Sequence, residues 1–571
     1  MDQIPYRIRI GVTGHRKNLP DSEVLMSKIK QLLGFSKSGE IITLTNSSLI
    51  KFYSNRVRKT CEANAKDIPL VYTILSSLAE GADRIVADAV LDLPNSKLDV
   101  ILPLDVNDYT QDFQTEDSKT EFHNLLNKAD FIYSLKSSPL SKNVPTTDLK
   151  EARNEAYLKA GQYIVAHCDV LIAVWDGKAA KGKGGTAEII DYAREQQCPI
   201  IIISSLDPQQ IAFDFNKELP FEPVQKLISL TSAHTNVDSI KSAIKNNFGE
   251  FYREENQETQ FVGTARIEKL KNYLLPLFAL ADLQAMRSKR IFENTGLIVY
   301  ALSFLAVTTI LIAVIFHLNH LVAFIIEFIL LLSILLIIKT ANQKGFHKNW
   351  LANRFLVEKL RSTVYLFVAG VPLEKLSLRQ VNKKQREHYG WAIDAYNEIK
   401  DQLNQINSFE KNNKSVNDIN NYIKSTWIDG QLNFQKKYAA KNTNWNLNLE
   451  KGGVWLFRAA LFLAGAHIIS CYVRNNGFQF TQFEEIMTLI TLLLLPLAAA
   501  FDGIRNQREF SRNASRSESM IQILTDLKEK YEAVDTTEEF YKLLRETDTI
   551  MLQENQDWML LMQSSELEVK P

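Results

Sequence analysis

The sequence predicts a doubly wound α/β domain with a parallel sheet at the N-terminus, followed by an all-α transmembrane domain built from two helical hairpins. Three observations carry this. Short β-branched runs alternate with helical patterns through roughly the first 205 residues. The glycine-rich polar loops of that region fall at the ends of the β-branched runs. Residues 296–316 then run without a charge, long enough to cross a bilayer at about 1.5 Å per residue.

The strand candidates are 7–13, 70–76, 98–103, 131–135, 170–175 and 199–204. Several are apolar at consecutive positions, the pattern of a parallel sheet covered on both faces. Segments 82–93, 119–128, 150–166 and 186–196 have helical length and period. Ligands of such folds bind beyond the carboxyl ends of the strands. Those ends are 11–16, 77–84, 104–109 and 176–188, the most polar and glycine-rich loops of the region.

Residues 207–254 have no clear pattern. Segment 258–292 reads as a mostly amphipathic helix, kinked at Pro276 and leading into the membrane. The first hairpin is 296–316 and 321–338; the second is 454–473 and 485–501. Segment 404–421, rich in Asn, Ser and Lys, reads as a loop. The expected organisation is therefore 1–205, a linking segment 206–293, a hairpin 294–339, a helical segment 340–452, a hairpin 453–502 and C-terminal helices 503–571. Basic residues gather on one side of all four spans: Arg287, Lys289 and Arg290, then Lys339, Lys344 and Lys348, then Arg505, Arg508, Arg512 and Arg516. The positive-inside rule puts both termini and the middle segment in the cytosol. Asn342-Gln343-Lys344 and Asn506-Gln507-Arg508 follow the two hairpins, the trace of a degenerate repeat.

Composition excludes several classes. Lys+Arg and Asp+Glu are equal at 66 each, so bulk charge gives no case for direct nucleic-acid binding. Cys61, Cys168, Cys198 and Cys471 lie far apart with no CxxC spacing, which yields neither a disulfide framework nor a metal site. The N-terminus lacks a basic stretch followed by an apolar one, so no secretory signal is expected.

Three loops carry candidate ligand chemistry. In the first, Gly11, Thr13, Gly14, His15 and Arg16 follow a strand. The glycines let backbone amides approach an anion, and His15 and Arg16 supply charge or hydrogen bonds. The spacing is not that of a P-loop. A plain glycine turn with two solvent-facing cations is the alternative. In the second, Glu80, Gly81, Asp83 and Arg84 enter a helix whose N-terminal amides suit phosphate. Asp83 can equally complement the helix dipole. In the third, Asp176 and Gly177 lead to Gly182, Gly184, Gly185, Thr186 and Glu188. There the amides and Thr186 suit phosphate, and Glu188 suits a ribose diol.

GVTGHR, SLAEGADRIVADAV, LPLDVNDYTQDF and YIVAHCDVLIAVWDGKAAKGKGGTAEIIDYAR, spanning residues 8–204, resemble the SLOG superfamily in sequence and order. That superfamily is Rossmann-like and includes the cytokinin-activating LOG phosphoribohydrolases and a DNA-uptake protein. Its membrane-attached branch occurs in bacterial defence systems and is held to sense nucleotide second messengers. The LOG enzymes carry PGGxGTxxE with a catalytic glutamate. Here GKGGTAE has one residue fewer between Thr186 and Glu188 and no proline. The resemblance therefore implies a phosphate- and ribose-binding site more than a hydrolase, with no catalytic residue expected. His347-Lys-Asn-Trp350, Arg354, Glu358 and Arg361, with Trp427-Ile-Asp-Gly-Gln431 and Tyr438, resemble pieces of the SLATT family of small helical membrane effectors.

Glu327 lies near the middle of the second span, where a charge costs roughly 2.5–3.5 kcal/mol on insertion scales. It lines a pore, contacts another protomer, or packs in a protonated or paired form. Arg458 can snorkel to the cytosolic surface, and His467 can hydrogen-bond a neighbouring helix. His347, Arg354, Glu358 and Arg361 form one helical stripe; Arg505, Arg508, Arg512 and Arg516 form another. Anionic lipid, carboxylates of another protomer, or ordinary anchoring account for them.

The expected function is that of a bacterial inner-membrane, multi-pass anti-phage effector. It has no resident cofactor and takes a nucleotide-type ligand, such as a cyclic ADP-ribose-like molecule or a cyclic oligonucleotide, made by an upstream enzyme. It acts as a homo-oligomer that forms a pore or disrupts the bilayer. The enzyme alternative is a membrane-tethered nucleotide N-glycosidase using Glu188 with Arg84 or Arg16. A secondary transporter is disfavoured by the few spans and the lack of paired broken helices.

Overall fold

The computed structural model describes residues 4–34, 42–45, 47–53, 68–135, 146–179, 184–214, 221–231, 237–252, 264–376, 383–407, 416–475 and 481–563. The chain divides into two compact units, Met1–Ser232 and Ala233–Pro571.

In the first unit the strands are β1 (Tyr6–Gly14), β2 (Leu70–Ser76), β3 (Lys97–Leu102), β4 (Phe131–Ser134), β5 (Val170–Trp175), β6 (Ile200–Ser204) and β7 (Ile211–Asp214). Between them lie α1 (Ser22–Leu33), α2 (Ser48–Tyr53), α3 (Ala82–Leu91), α4 (Val106–Thr110), α5 (Glu116–Asn127), α6 (Thr146–His167) and α7 (Thr186–Glu195), and α8 (Phe221–Thr231) follows β7. The seven strands form one sheet in the order β4-β3-β2-β1-β5-β6-β7. All pairs are parallel except β6–β7. Every residue of β2 is buried, as a strand covered on both faces requires. The six expected strands are present. The antiparallel edge strand β7 and the helix α8 lie in the stretch that showed no clear pattern.

This order has a mechanical consequence. The chain steps outward from β1 through β2, β3 and β4, then crosses back to place β5 on the other side of β1. Loops leaving β1 and β5 therefore diverge, opening a crevice at their carboxyl ends. The register fixes its floor, with Gly14 opposite Val174.

The second unit is helical: α9 (Val237–Phe248), α10 (Thr264–Lys269), α11 (Leu275–Ile315), α12 (His320–Gln343), α13 (Phe346–Ala369), α14 (Lys383–Asn407), α15 (Val416–Ile423), α16 (Asp429–Asn475), α17 (Thr481–Gln507), α18 (Phe510–Glu532) and α19 (Thr537–Gln563). Among the described residues, four helical stretches are long and apolar enough to cross a membrane. They cover the four expected spans to within three residues at the ends, stopping at Ile315 and Ser470 where the first and third were expected to reach 316 and 473. The first turnaround is held by Asn319, whose side chain accepts from the Leu321 and Val322 amides.

Two expectations change here. The stretch around Pro276 is buried on all sides rather than amphipathic, with Leu274, Leu275, Leu277, Phe278, Ala279 and Leu280 in the core. A π-helical turn at Leu270–Leu274 precedes the proline, which sits in the first turn of α11. Proline cannot donate to the preceding turn, and a change of helical register there accommodates the loss. The expected loop 404–421 is mostly helical: α14 runs to Asn407 and α15 starts at Val416, and residues 408–415 lie outside the described residues.

The repeat is legible in geometry. A π turn precedes α11, and another at Lys424–Ile428 precedes α16. α11 packs on its hairpin partner α12 and on the following α13; α16 packs likewise on α17 and α18. Both hairpins then leave through the same turn. Gly345 at φ 59° and Glu509 at φ 50° precede helices that begin at Phe346 and Phe510. Asn349 donates to the Lys344 carbonyl at 3.3 Å, and Asn513 donates to the Arg508 carbonyl at 3.1 Å. Two copies of one hairpin-plus-exit-helix motif thus follow each other in the chain.

The copies meet where α11 packs on α17. A Cβ at Gly296 would lie 2.0 Å from the Gln507 side chain, and one at Gly503 would lie 2.6 Å from the Tyr300 ring. Small residues at these two positions let the backbones approach.

Candidate functional site

A cavity of about 650 Å³ occupies the crevice at the carboxyl ends of β1 and β5. Its size lies within the range of small-molecule sites. Thr13, Gly14, His15 and Arg16 line it from the first loop, and Asp83 from the second. Asp176, Gly184, Gly185 and Thr186 line it from the third. Nine of the sequence-derived candidates therefore meet on one wall-to-wall space.

Local geometry explains how. A Cβ on Gly14 would lie 2.4 Å from the Ala82 Cβ, so only glycine lets α3 seat against β1. Gly81, at φ +85°, lies under the His15 and Arg16 carbonyls, each 2.7 Å from a would-be Cβ. The Ala82 amide donates to the His15 carbonyl at 3.1 Å. One N-terminal amide of α3 is thereby occupied by the neighbouring loop rather than offered to a ligand. The N-terminus of α7 is different: Gly185 caps it without a side-chain bond and, with Thr186, faces the cavity. That end provides amides and a dipole for an anion.

Not every candidate reaches the cavity. Gly11 is a packing position, its missing side chain leaving room for Ile164 and Cys168. Arg84 is buried and turned away, donating to the Leu78 and Ser118 carbonyls and pairing with Glu121 at 2.6 Å. Glu80 accepts from the Ser118 hydroxyl at 2.5 Å. Gly177, at φ +80°, shapes the turn after β5 with open space around it. Glu188 does not line the cavity; its carboxylate accepts the Gly184 N–H at 2.5 Å and closes the turn into α7. Gly182 lies outside the described residues.

The loops also supply residues that the sequence did not single out. Tyr109 and Ser205 line the cavity, are almost fully buried, and hold hydroxyls without a hydrogen-bond partner among the described residues. A buried unpaired hydroxyl costs about 1–3 kcal/mol, which a ligand atom can relieve. Asn154 and Tyr157 contribute from α6. Tyr157 donates to Asp112, and the Arg16 guanidinium lies 5.4 Å from its ring centroid. Arg153 holds the other Asp112 oxygen at 2.6 Å. Of these, only the 104–109 loop was marked by its place at a strand end. Asn154, Tyr157 and Gly161 fall at helical spacing but are ordinary residue types whose role depends on topology.

The electrostatics are mixed. The Asp176 amide donates to His15 Nε2 at 3.1 Å, and an Asp176 oxygen lies 3.1 Å from the same nitrogen. The Lys178 amide, followed by His15, holds the Asp176 carboxyl below its ordinary range. Burial pushes the Asp83 carboxyl up to about 7, against the pull of the Ala79 backbone, Arg16, Arg84 and Ser76. Arg16, Lys17 and Lys178 add exposed positive charge at the rim. The space can thus take a polar anion at α7 and hydrogen-bonding groups near Tyr109 and Ser205.

In the helical unit, Arg354 pairs with Glu358 and lies 3.9 Å from Asp282, and Arg361 pairs with Glu358 at 3.3 Å. Arg516 pairs with Glu554. Arg354, Arg361 and Arg516 of the two stripes therefore meet carboxylates of their own chain. Buried charges require such pairing. Glu327 is half-buried on α12, Arg458 is exposed on α16, and His467 is half-buried on the same helix.

No protein-family model matches the chain, and no curated protein matches it.

Proposed function

We propose that the chain is a ligand-gated membrane effector of bacterial defence, with a SLOG-like sensing unit and a SLATT-like membrane unit. A nucleotide-derived second messenger, cyclic ADP-ribose-like or a cyclic oligonucleotide, occupies the cavity between the β1 and β5 loops. Its phosphate sits against Gly184, Gly185 and Thr186, and its ribose or base uses Tyr109, Ser205 and Asn154. Binding alters association between protomers, and the membrane helices rearrange into a pore or break the bilayer. The ligand must favour the active arrangement energetically for this to work. Both termini are cytosolic and the membrane is the bacterial inner one, on the charge asymmetry of the four spans.

The observation that supports this most is the pairing of two features in one chain. Among the described residues, a switch-point cavity, with a glycine-bordered helix N-terminus and two unpaired buried hydroxyls, shares a polypeptide with four membrane-length helices. The Glu188 carboxylate, held outside the cavity by Gly184, weighs against the N-glycosidase reading.

Mass spectrometry of the small molecules released from purified full-length protein tests the reading. An intact phosphate- and ribose-containing nucleotide is expected. Release of a free base and ribose phosphate on incubation with nucleotides, lost in Glu188→Gln, would instead make the protein a hydrolase.

A further inference from the structure

Independently of the nucleotide cavity, the helical unit holds a second and smaller one. It measures about 240 Å³ and lies between α11, α16 and the turn that joins α17 to α18. Lys289, Lys441 and Arg508 line it, with one carboxylate, Glu293, 3.9 Å from Lys289. Lys441 and Arg508 have no carboxylate partner among the described residues. This sets them apart from Arg354, Arg361, Arg505, Arg512 and Arg516, each of which has one. Gln507 also lines the space, and its amide nitrogen is buried without an acceptor among the described residues. The cavity therefore offers net positive charge and a donor in a half-enclosed space too small for a nucleotide.

Its place beside the spans bears on the source of the anion. Gly296 meets Gln507, Gly503 meets Tyr300 and Gly452 meets Phe501, so these contacts climb about 9 Å along α17 from Gln507 to Phe501. Within the spans, exposed apolar residues run from Leu297 to Val314 on α11 and from Val454 to Ile469 on α16. Lys289 precedes Gly296 by seven residues, about 10 Å along the helix. Lys289 and Arg508 thus lie about two helical turns outside the apolar band and Lys441 more than three, on the basic side of the spans, where long cationic side chains extend toward the phosphate zone of a bilayer. Aromatic rings wall the space: Trp445 stacks on Phe510 at 6.2 Å, and Trp350 meets Trp558 at 5.5 Å.

We infer that this cavity binds a phosphate-bearing anion, and that the source is the headgroup of an anionic phospholipid seated against the α11–α17 contact. The matching turn of the first repeat leaves Gln343 and Lys344 exposed, so the enclosed site belongs to the second repeat. The inference relies on the four helices spanning a bilayer and not on what the nucleotide cavity holds.

The test uses the full-length protein in zwitterionic nanodiscs, titrated with short-chain phosphatidylglycerol, short-chain phosphatidylcholine or inorganic phosphate, with retained lipid read by native mass spectrometry. Wild type should retain phosphatidylglycerol selectively. The double variant Lys441→Gln/Arg508→Gln should retain it roughly thirtyfold less, two surface cations being lost. Arg287→Gln, at an exposed cation outside the cavity, should behave as wild type. Equal retention of both lipids, or unchanged retention in the double variant, overturns the site. Displacement of the lipid by millimolar inorganic phosphate overturns the lipid as its source. An equal loss in Arg287→Gln would reduce the effect to bulk surface charge and also overturn it. Circular dichroism and melting of each variant establish that the fold is kept.

Discussion

Asp83 ties the chemistry of the cavity to pH. Its carboxyl is held up to about 7 by burial, against about 3.9 when unfolded. The folded state therefore binds this proton more tightly than the unfolded state. Stability from this group is present at low pH and is lost as pH rises from about 4 through 7. Ligand-free protein should melt at a lower temperature at pH 7.5 than at pH 5.5, and Asp83→Asn should flatten that slope. Affinity for a phosphodiester, which does not itself titrate there, should weaken as pH rises past about 7, where Asp83 gains charge inside the folded cavity. A slope identical in Asp83→Asn would assign the effect to other groups.

Gly185 gives a cleaner probe of placement. Its backbone, at φ −78° and ψ 164°, is open to any residue, so tryptophan there fills the cavity without straining the chain. Gly185→Trp should fold normally and lose nucleotide binding by at least about a hundredfold, measured by calorimetry, or by about 2.7 kcal/mol. Ordinary affinity in a folded variant would move the site elsewhere. What the sequence made legible at this scale was backbone chemistry: Gly14, Gly184 and Gly185 mark loops that must approach something closely. Side-chain direction was not legible. Arg84 and Asp83 are neighbours in a helical first turn, yet one turns to Glu121 and the other to the cavity. Tyr109 and Ser205 are unremarkable in sequence, and only the sheet order brings them together.

At the scale of elements, the six parallel strands were readable because each is a short apolar run bounded by turn residues. β7 was not, since a four-residue edge strand with two exposed positions has neither apolar continuity nor clean alternation. The membrane helices were readable by length, and the exit turns by a shared tripeptide. The geometry of Asn349 and Asn513 makes the repeat far plainer than the tripeptide does. The close contact of the two repeats supplies a prediction. Gly503→Leu would drive a side chain into Tyr300 and should destabilise the detergent-solubilised protein by about 1–3 kcal/mol, read from denaturant or thermal unfolding. Gly465→Leu, a helical glycine with open space around it, should be nearly neutral. Equal losses in both would mean that the α11–α17 approach is unimportant.

At the scale of the whole molecule, the proposed effector requires ligand binding and membrane action to be coupled. α12 contributes few buried residues and leaves most of its surface open, with Glu327 half-buried upon it. Lipid does not welcome a carboxylate, so contact with water or another protomer is the expected use of that residue. Glu327→Leu should insert and bind nucleotide with affinity changed by no more than typical coupling energies, about 1–3 kcal/mol, yet permeabilise less. Dye uptake by cells matched for protein level checks this, and undiminished uptake would make Glu327 a packing residue.

The most direct measurement of the central claim is leakage from proteoliposomes. Purified full-length protein is stripped of bound small molecules, reconstituted around a self-quenched dye, and given back the nucleotide recovered from it. Leakage should follow addition of the nucleotide, saturate with its binding curve, and be absent in Gly185→Trp. Vesicles that stay sealed with nucleotide bound, or that leak equally without it, would contradict the account.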